Sequence, residues 1–228
     1  MKDKERFDEK KALYGENPVY LSHLLDPYTV KIAKWVYNLG FTPNQVTLLN
    51  FFLGMLAIVL MFLYPTYVIF VAVAILITIR NIGDTIDGKI ARGGDLKSPL
   101  GGFLDIFTDW IFFHSAFFIV VGYITGNVAI GYLCVIAYMS REFTRTKFTY
   151  FYGKKITESD EAKKMPLAVS LARKYDLANV FWIIPVFLLI NQPAFIIYFV
   201  LIAETILFLG ELFVDLRILL RQKNENKK

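Results

Sequence analysis

The sequence predicts an all-α, polytopic membrane protein: six transmembrane helices preceded by an N-terminal amphipathic helix at the interface. Three observations carry that expectation. Of 228 residues, 56% are hydrophobic and only 20% are charged, a balance too greasy for an ordinary soluble surface and normal for a membrane bundle. The apolar residues gather in runs of about 20, the length that crosses a hydrocarbon core. Short breakers such as Pro65, Gly126-Asn127 and Asn191-Gln192-Pro193 separate the runs, as turns between antiparallel helices require.

Taken in order, residues 1–22 are a charged lead of mixed sign, expected to be mobile or to lie on the surface. They contain no apolar h-region, so no secretory signal peptide is expected and the first span directs insertion. Residues 23–216 are expected to form one membrane domain, and 217–228 a basic tail. From Pro27 to Leu39, apolar residues alternate with Lys31 and Lys34 around Trp35. That stretch is too short and polar to span, and it reads equally as an interfacial helix or as one packed on the protein itself. Thr42-Pro43-Asn44 opens the first span with a cap residue and a proline at an early position. The expected spans are 44–64, 66–90, 100–124, 128–152, 176–190 and 194–216, with 153–175 a polar connection. In this arrangement no Lys or Arg falls in the outer connections, so all 25 lie on the other face. By the positive-inside rule both termini are then cytoplasmic, and the formal charge of +5 faces anionic lipids and anionic substrates. A basic face also suits nucleic acid, but no segment resembles a nucleic-acid module and no such partner is expected. The lone Cys134 allows no internal disulfide.

The stretch from Asn81 to Trp110 carries the chemistry. It holds five aspartates between two apolar runs, and ionised groups at a bilayer edge are costly enough to be kept mainly for function. Asp84 and Asp87 are three apart, with Gly88 and Ala91 continuing their face. Asp105 and Asp109 are four apart, with Gly101 one turn earlier. On helices these spacings stack side chains on one stripe. If the two helices run antiparallel through a turn around 93–99, all four carboxylates converge. Such a group repels itself unless cations sit within it, and hard ions such as Mg²⁺ or Mn²⁺ prefer oxygen ligands. Two of them would clamp a diphosphate and stabilise charge on a leaving group. A carboxylate not fully occupied by metal could accept a hydroxyl proton. Arg92 is a fork-shaped donor suited to phosphate, and the small Gly88, Ala91 and Gly101 leave room for a nucleotide near the backbone. Asp95 lies outside the pattern and reads as a turn residue.

Asp84-x2-Asp87-Gly88-x2-Ala91-Arg92-x8-Gly101-x3-Asp105-x3-Asp109 resembles, residue for residue, the signature of the CDP-alcohol phosphotransferase family. The motif covers 26 residues, and the helical layout extends the likeness over most of the chain. The resemblance implies an enzyme that cleaves a CDP-linked alcohol, moves its phosphoalcohol group to a second alcohol and releases CMP, using two divalent cations, Mg²⁺ or Mn²⁺. It implies metal ligation by Asp84, Asp87, Asp105 and Asp109, with Asp109 also the catalytic base. It implies CDP binding by Gly88, Ala91, Arg92 and Gly101, with Asp84 also near the nucleotide. Asn44 and Thr47, in Pro43-Asn44-Gln45-Val46-Thr47, are similar to a segment found at the start of the family's first span. Six helices and a homodimer are also implied.

The segment Arg141-Glu142-x2-Arg145 loosely resembles the basic segment of members that use phosphorylated acceptors. Arg141, Arg145 and Arg173 are therefore candidates to hold the phosphate of an acceptor such as inositol phosphate or glycerol phosphate. The alternative for them is simple positive-inside charge. The expected donor is CDP-diacylglycerol or CDP-archaeol. Competing readings are serine or unphosphorylated inositol as acceptor, CDP-choline or CDP-ethanolamine as donor, and, outside the family, a prenyltransferase or an aspartate-based transporter. His114 reads as a packed histidine. Glu204 and Glu211, seven apart, read as partners for a basic residue or as a dimer contact.

Overall fold

The computed structural model describes residues 7–13, 20–152 and 177–225, all of them in helices or short connections. The helices are α1 (Glu9–Leu13), α2 (Tyr20–Asn38), α3 (Pro43–Leu63), α4 (Tyr67–Gly93), α5 (Pro99–Asp105), a π-helical segment (Ile106–His114), α6 (Ser115–Ile124), α7 (Val128–Tyr152), α8 (Leu177–Leu189) and α9 (Pro193–Glu225). Among the described residues, four stretches are long and apolar enough to cross a membrane: 43–63, 67–93, 99–124 and 193–217. The expected fourth and fifth spans are helical as well. The fourth carries Arg141, Glu142, Arg145 and Lys147 in its second half, and the described part of the fifth is 13 residues, short for a crossing.

A capping box starts α3. The Thr42 hydroxyl accepts from the Gln45 amide at 3.4 Å, and the Gln45 side chain accepts from the Thr42 amide at 2.9 Å, so two otherwise unpaired donors are satisfied. With Thr42 as cap, Asn44 is left inside the first turn with its side chain free for another use. The turn from α4 to α5 comes where the motif requires it: Asp95 takes a left-handed φ of 54°, Ser98 accepts from the Gly101 amide at 3.0 Å, and Pro99 occupies the first turn of α5.

The main core lies between α3, α4, α6, α7, α8 and α9, around Met61, Ile77, Phe113, Phe117, Phe181 and Ile197. Two glycines set how closely the helices around the site approach. A Cβ on Gly83 of α4 would overlap the Asn50 amide on α3, and one on Gly54 of α3 would come within 2.7 Å of the Phe113 ring.

Two parts of the N-terminal region add to the expectation. Residues 7–13 of the charged lead lie against the end of α4: Phe7 and Ala12 are buried there with Ile86, Ile90, Val30 and Tyr37, and the Asp8 amide donates to the Gly93 carbonyl at 2.8 Å. The second is α2, which begins at Tyr20 and runs through Pro27, although proline ordinarily opens or ends a helix. A tertiary anchor beside the proline holds it, since Asp26 pairs with the buried Lys89 of α4 at 2.7 Å. One face of α2 packs on the bundle through Val30, Ala33 and Tyr37, while Tyr28, Ile32, Trp35 and Leu39 stay exposed, an outward apolar face consistent with the interfacial reading.

Candidate active site

The C-terminal half of α4 faces α5 and the π-helical segment across a cavity of about 560 Å³, within the size range of small-ligand pockets. One oxygen each from Asp84, Asp105 and Asp109 lies within 4.8 Å of the other two. Asp87 lines the same cavity, and its Oδ2 accepts from the Thr47 hydroxyl on α3 at 2.7 Å. All four aspartates of the motif therefore share one cavity wall, three of them as a tight cluster and the fourth held by a hydroxyl from a neighbouring helix. An all-oxygen donor set of this density suits a hard divalent cation.

Asp109 lies in the π-helical segment. The wider turn delivers it beside Asp105, which closes α5. Such segments are rare and cluster at functional positions; nothing in the composition of Ile106–His114 announces one.

Small residues and short polar ones complete the wall. Gly88, Ala91, Arg92, Gly101, Asn44 and Thr47 all line the cavity. Space beside Gly88 and Gly101 is tight: a Cβ on Gly88 would stand 3.1 Å from an Arg92 guanidinium nitrogen, and one on Gly101 would stand 3.0 Å from the Asn44 Oδ1. Arg92 is steadied from outside the bundle, its Nε donating to the Ala12 carbonyl of α1 at 3.3 Å.

Several lining residues escaped the sequence reading: Arg80, Asn81, Ser98, Lys97, Trp110, Phe181 and Trp182. Arg80 is the most consequential. It is buried one turn before Asp84, forms an ion pair with Asp109 and lies 3.8 Å from Asp84. The signal was available, since an arginine inside an apolar run calls for a partner. His114 lines the cavity too, but it is packed as expected: its ring stacks on Phe181 at 4.1 Å and its Nδ1 meets the Tyr138 hydroxyl at 3.0 Å.

Of the candidate acceptor arginines, Arg141 and Arg145 do not line this cavity. Arg141 is buried between α7 and α9, where Nη1 donates to Glu204 at 3.1 Å and Nη2 to Glu211 at 2.9 Å. Arg145 pairs with Glu142 at 3.0 Å and approaches Glu211 at 3.6 Å. The glutamates seven apart on α9 thus bind Arg141 and Arg145, in keeping with their reading as partners for a basic residue. Arg173 lies outside the described residues.

Residues 41–213 match the model of the CDP-alcohol phosphatidyltransferase family, and the chain belongs to that family. A curated relative is the archaetidylinositol phosphate synthase of Pyrococcus horikoshii (strain ATCC 700860 / DSM 12428 / JCM 9974 / NBRC 100139 / OT-3). It is 33% identical over 75 residues, which is 33% of this chain and 38% of that protein; the match thus spans well under half the relative's length.

Proposed function

We propose that this protein is an integral membrane enzyme that moves a phosphatidyl-type group from a CDP-linked lipid, CDP-diacylglycerol or CDP-archaeol, to an alcohol acceptor and releases CMP. One observation carries the reading: the four motif aspartates lie on the wall of one cavity together with the small residues and Arg92 that a nucleotide diphosphate needs. Asp84, Asp87, Asp105 and Asp109 would hold two divalent cations, Mg²⁺ or Mn²⁺, which when bound would polarise the phosphoryl oxygens and neutralise charge on the departing CMP. The chain's own residues supply the rest. Gly88, Ala91 and Gly101 let the nucleotide approach the backbone, and Asn44 and Arg92 donate to its polar atoms. Asp109 takes the proton of the acceptor hydroxyl. The acceptor oxygen then forms a new bond to the lipid-side phosphorus as the bond from that phosphorus to the bridging oxygen breaks, and CMP leaves with that oxygen. The membrane-spanning helices keep the lipid chains in the bilayer while the polar end meets the cavity on the cytoplasmic side.

For the acceptor we favour a phosphorylated polyol, inositol phosphate or glycerol phosphate. The support is the relative whose name specifies an inositol phosphate product; Arg141 and Arg145, being engaged by glutamates, do not add to it. The enzyme is expected to act as a homodimer. Purified protein in detergent with CDP-archaeol or CDP-diacylglycerol and Mg²⁺ should release labelled CMP with inositol phosphate or glycerol phosphate. Release with serine or free inositol and none with phosphorylated alcohols would overturn the acceptor, and no release with any acceptor would overturn the reaction.

A further inference from the structure

The aspartate cluster contains a positive charge of its own. The Arg80 guanidinium is wedged between Asp109, with which it forms an ion pair, and Asp84, at 3.8 Å. Its face lies 4.4 Å from the centre of the Phe113 ring, and its Nη1 donates to Asn81 at 3.3 Å, while Asn81 donates to the Phe181 carbonyl at 2.8 Å. Burial, an aromatic plate and a hydrogen-bond relay to another helix thus hold the group against the acids. A cation stacked on an aromatic face in a desolvated setting is stabilised there, so the position is built and not a surface arginine folded inward. Arg80 is outside the eight-residue motif, one turn before Asp84.

We infer that Arg80 is a resident counter-ion of the metal site: a positioning residue that keeps Asp84 and Asp109 turned into the cavity before metal arrives, and that competes with metal for Asp109. This rests on the reading of the four aspartates as metal ligands. The placement supports it. Asp84 and Asp109 come from different helices and meet at one buried guanidinium, so Arg80 offsets their mutual repulsion where they converge. When divalent cations enter, the same guanidinium repels them and holds an oxygen they need, so Arg80 lowers their affinity while it stabilises the metal-free bundle. A residue that served packing alone would do the first of these without the second.

The test is direct Mn²⁺ binding to the purified full chain, by electron paramagnetic resonance of free Mn²⁺, together with melting temperature with and without Mn²⁺. The variants are Arg80→Met, which keeps the apolar stem and drops the charge, and Arg80→Lys, which keeps the charge. Arg80→Met should melt lower than wild type without metal, gain more from Mn²⁺ than wild type does, and bind Mn²⁺ about tenfold more tightly, the order expected for removing one nearby charge at a partly shielded site. Arg80→Lys should bind Mn²⁺ within about threefold of wild type on the same charge argument. Unchanged or weaker Mn²⁺ binding in Arg80→Met, or a melting loss equal with and without metal, would overturn the inference. If Arg80→Met does not fold, a change of tenfold or more in Arg80→Lys overturns it as well. Wild type that binds no Mn²⁺ would fail the metal reading itself, an outcome visible before any variant is compared.

Discussion

Between α7 and α9, Arg141 and Arg145 face Glu142, Glu204 and Glu211; between α4 and the π-helical segment, Arg80 faces Asp84 and Asp109, with Asp87 and Asp105 on the same cavity wall. Both clusters sit in an apolar bundle, where isolated charges are expensive. In the first, among the described residues, Arg141 and Arg145 pair with Glu142, Glu204 and Glu211, and the side chains of Arg141 and Glu204 are wholly buried. In the second, one buried cation pairs with two of the four acids, Arg92 and Lys97 line the cavity beside them, and the group opens onto that cavity. A set buried among its own partners acts as structure. A set that opens onto a cavity can take up something from outside. The opening, and not the presence of arginines or acids, distinguishes the two.

The sharpest way to break that contrast is to alter one charged residue in each cluster. Asp109→Asn should lower CMP release by about 10³-fold, the scale of losing a positioned general base, in protein that folds but melts lower because Arg80 loses its ion-pair partner; near-normal turnover would remove the base from Asp109. In the buried cluster, Arg141→Met removes the guanidinium that two buried glutamates share. It should cost about 3–5 kcal/mol of stability, measured by denaturant unfolding in detergent, with no change in the Mg²⁺ requirement of the protein that remains folded. Restoring most of that stability with Glu204→Gln and Glu211→Gln in the same chain would identify unpaired charge as the cause. An Mg²⁺ requirement that moved with Arg141 would join the two clusters and undo the distinction.

A smaller effect probes what surrounds the acids. Thr47 donates to Asp87 from another helix, the kind of support that orients a metal-binding carboxylate. Thr47→Val keeps the shape and removes the donor. It should raise the Mg²⁺ concentration for half-maximal CMP release by about 10–100-fold, the usual cost of losing an outer partner. An unchanged requirement would count against ligation by Asp87.

These residues also show why parts of the molecule were legible in the sequence and others were not. The aspartate spacing is local: three or four residues on one helix, then a turn with Ser98-Pro99 after it, so convergence follows from periodicity and a hairpin of helices. The destination of Arg141 is not local. Glu204 and Glu211 could be seen to share a face of α9, but their distance from Arg141, more than sixty residues along the chain, hid which cation they would meet. Arg80 was visible as an oddity in an apolar run and became part of the site only when α4 met the π-helical segment. That segment left no trace in composition, because its residues are ordinary ones for a membrane helix. Pro27 misled for a related reason: the rule that proline ends a helix is local, and the ion pair from Asp26 to Lys89 that overrides it is tertiary.

The same division between local and tertiary causes makes α1 a useful last test. Its backbone carbonyl at Ala12 accepts from Arg92, so the segment steadies a cavity residue without entering the cavity. If that contact matters to the nucleotide, deletion of residues 1–13 should weaken CDP binding in the presence of Mn²⁺ by about fivefold, near one kcal/mol of coupling, measured by calorimetry. The deletion made on top of Arg92→Ala should add almost nothing, because the side chain it steadies is already gone. A loss of the same size in both backgrounds would show that α1 supports the end of α4 as a whole, through Phe7 and the Asp8 to Gly93 bond, and not Arg92 in particular.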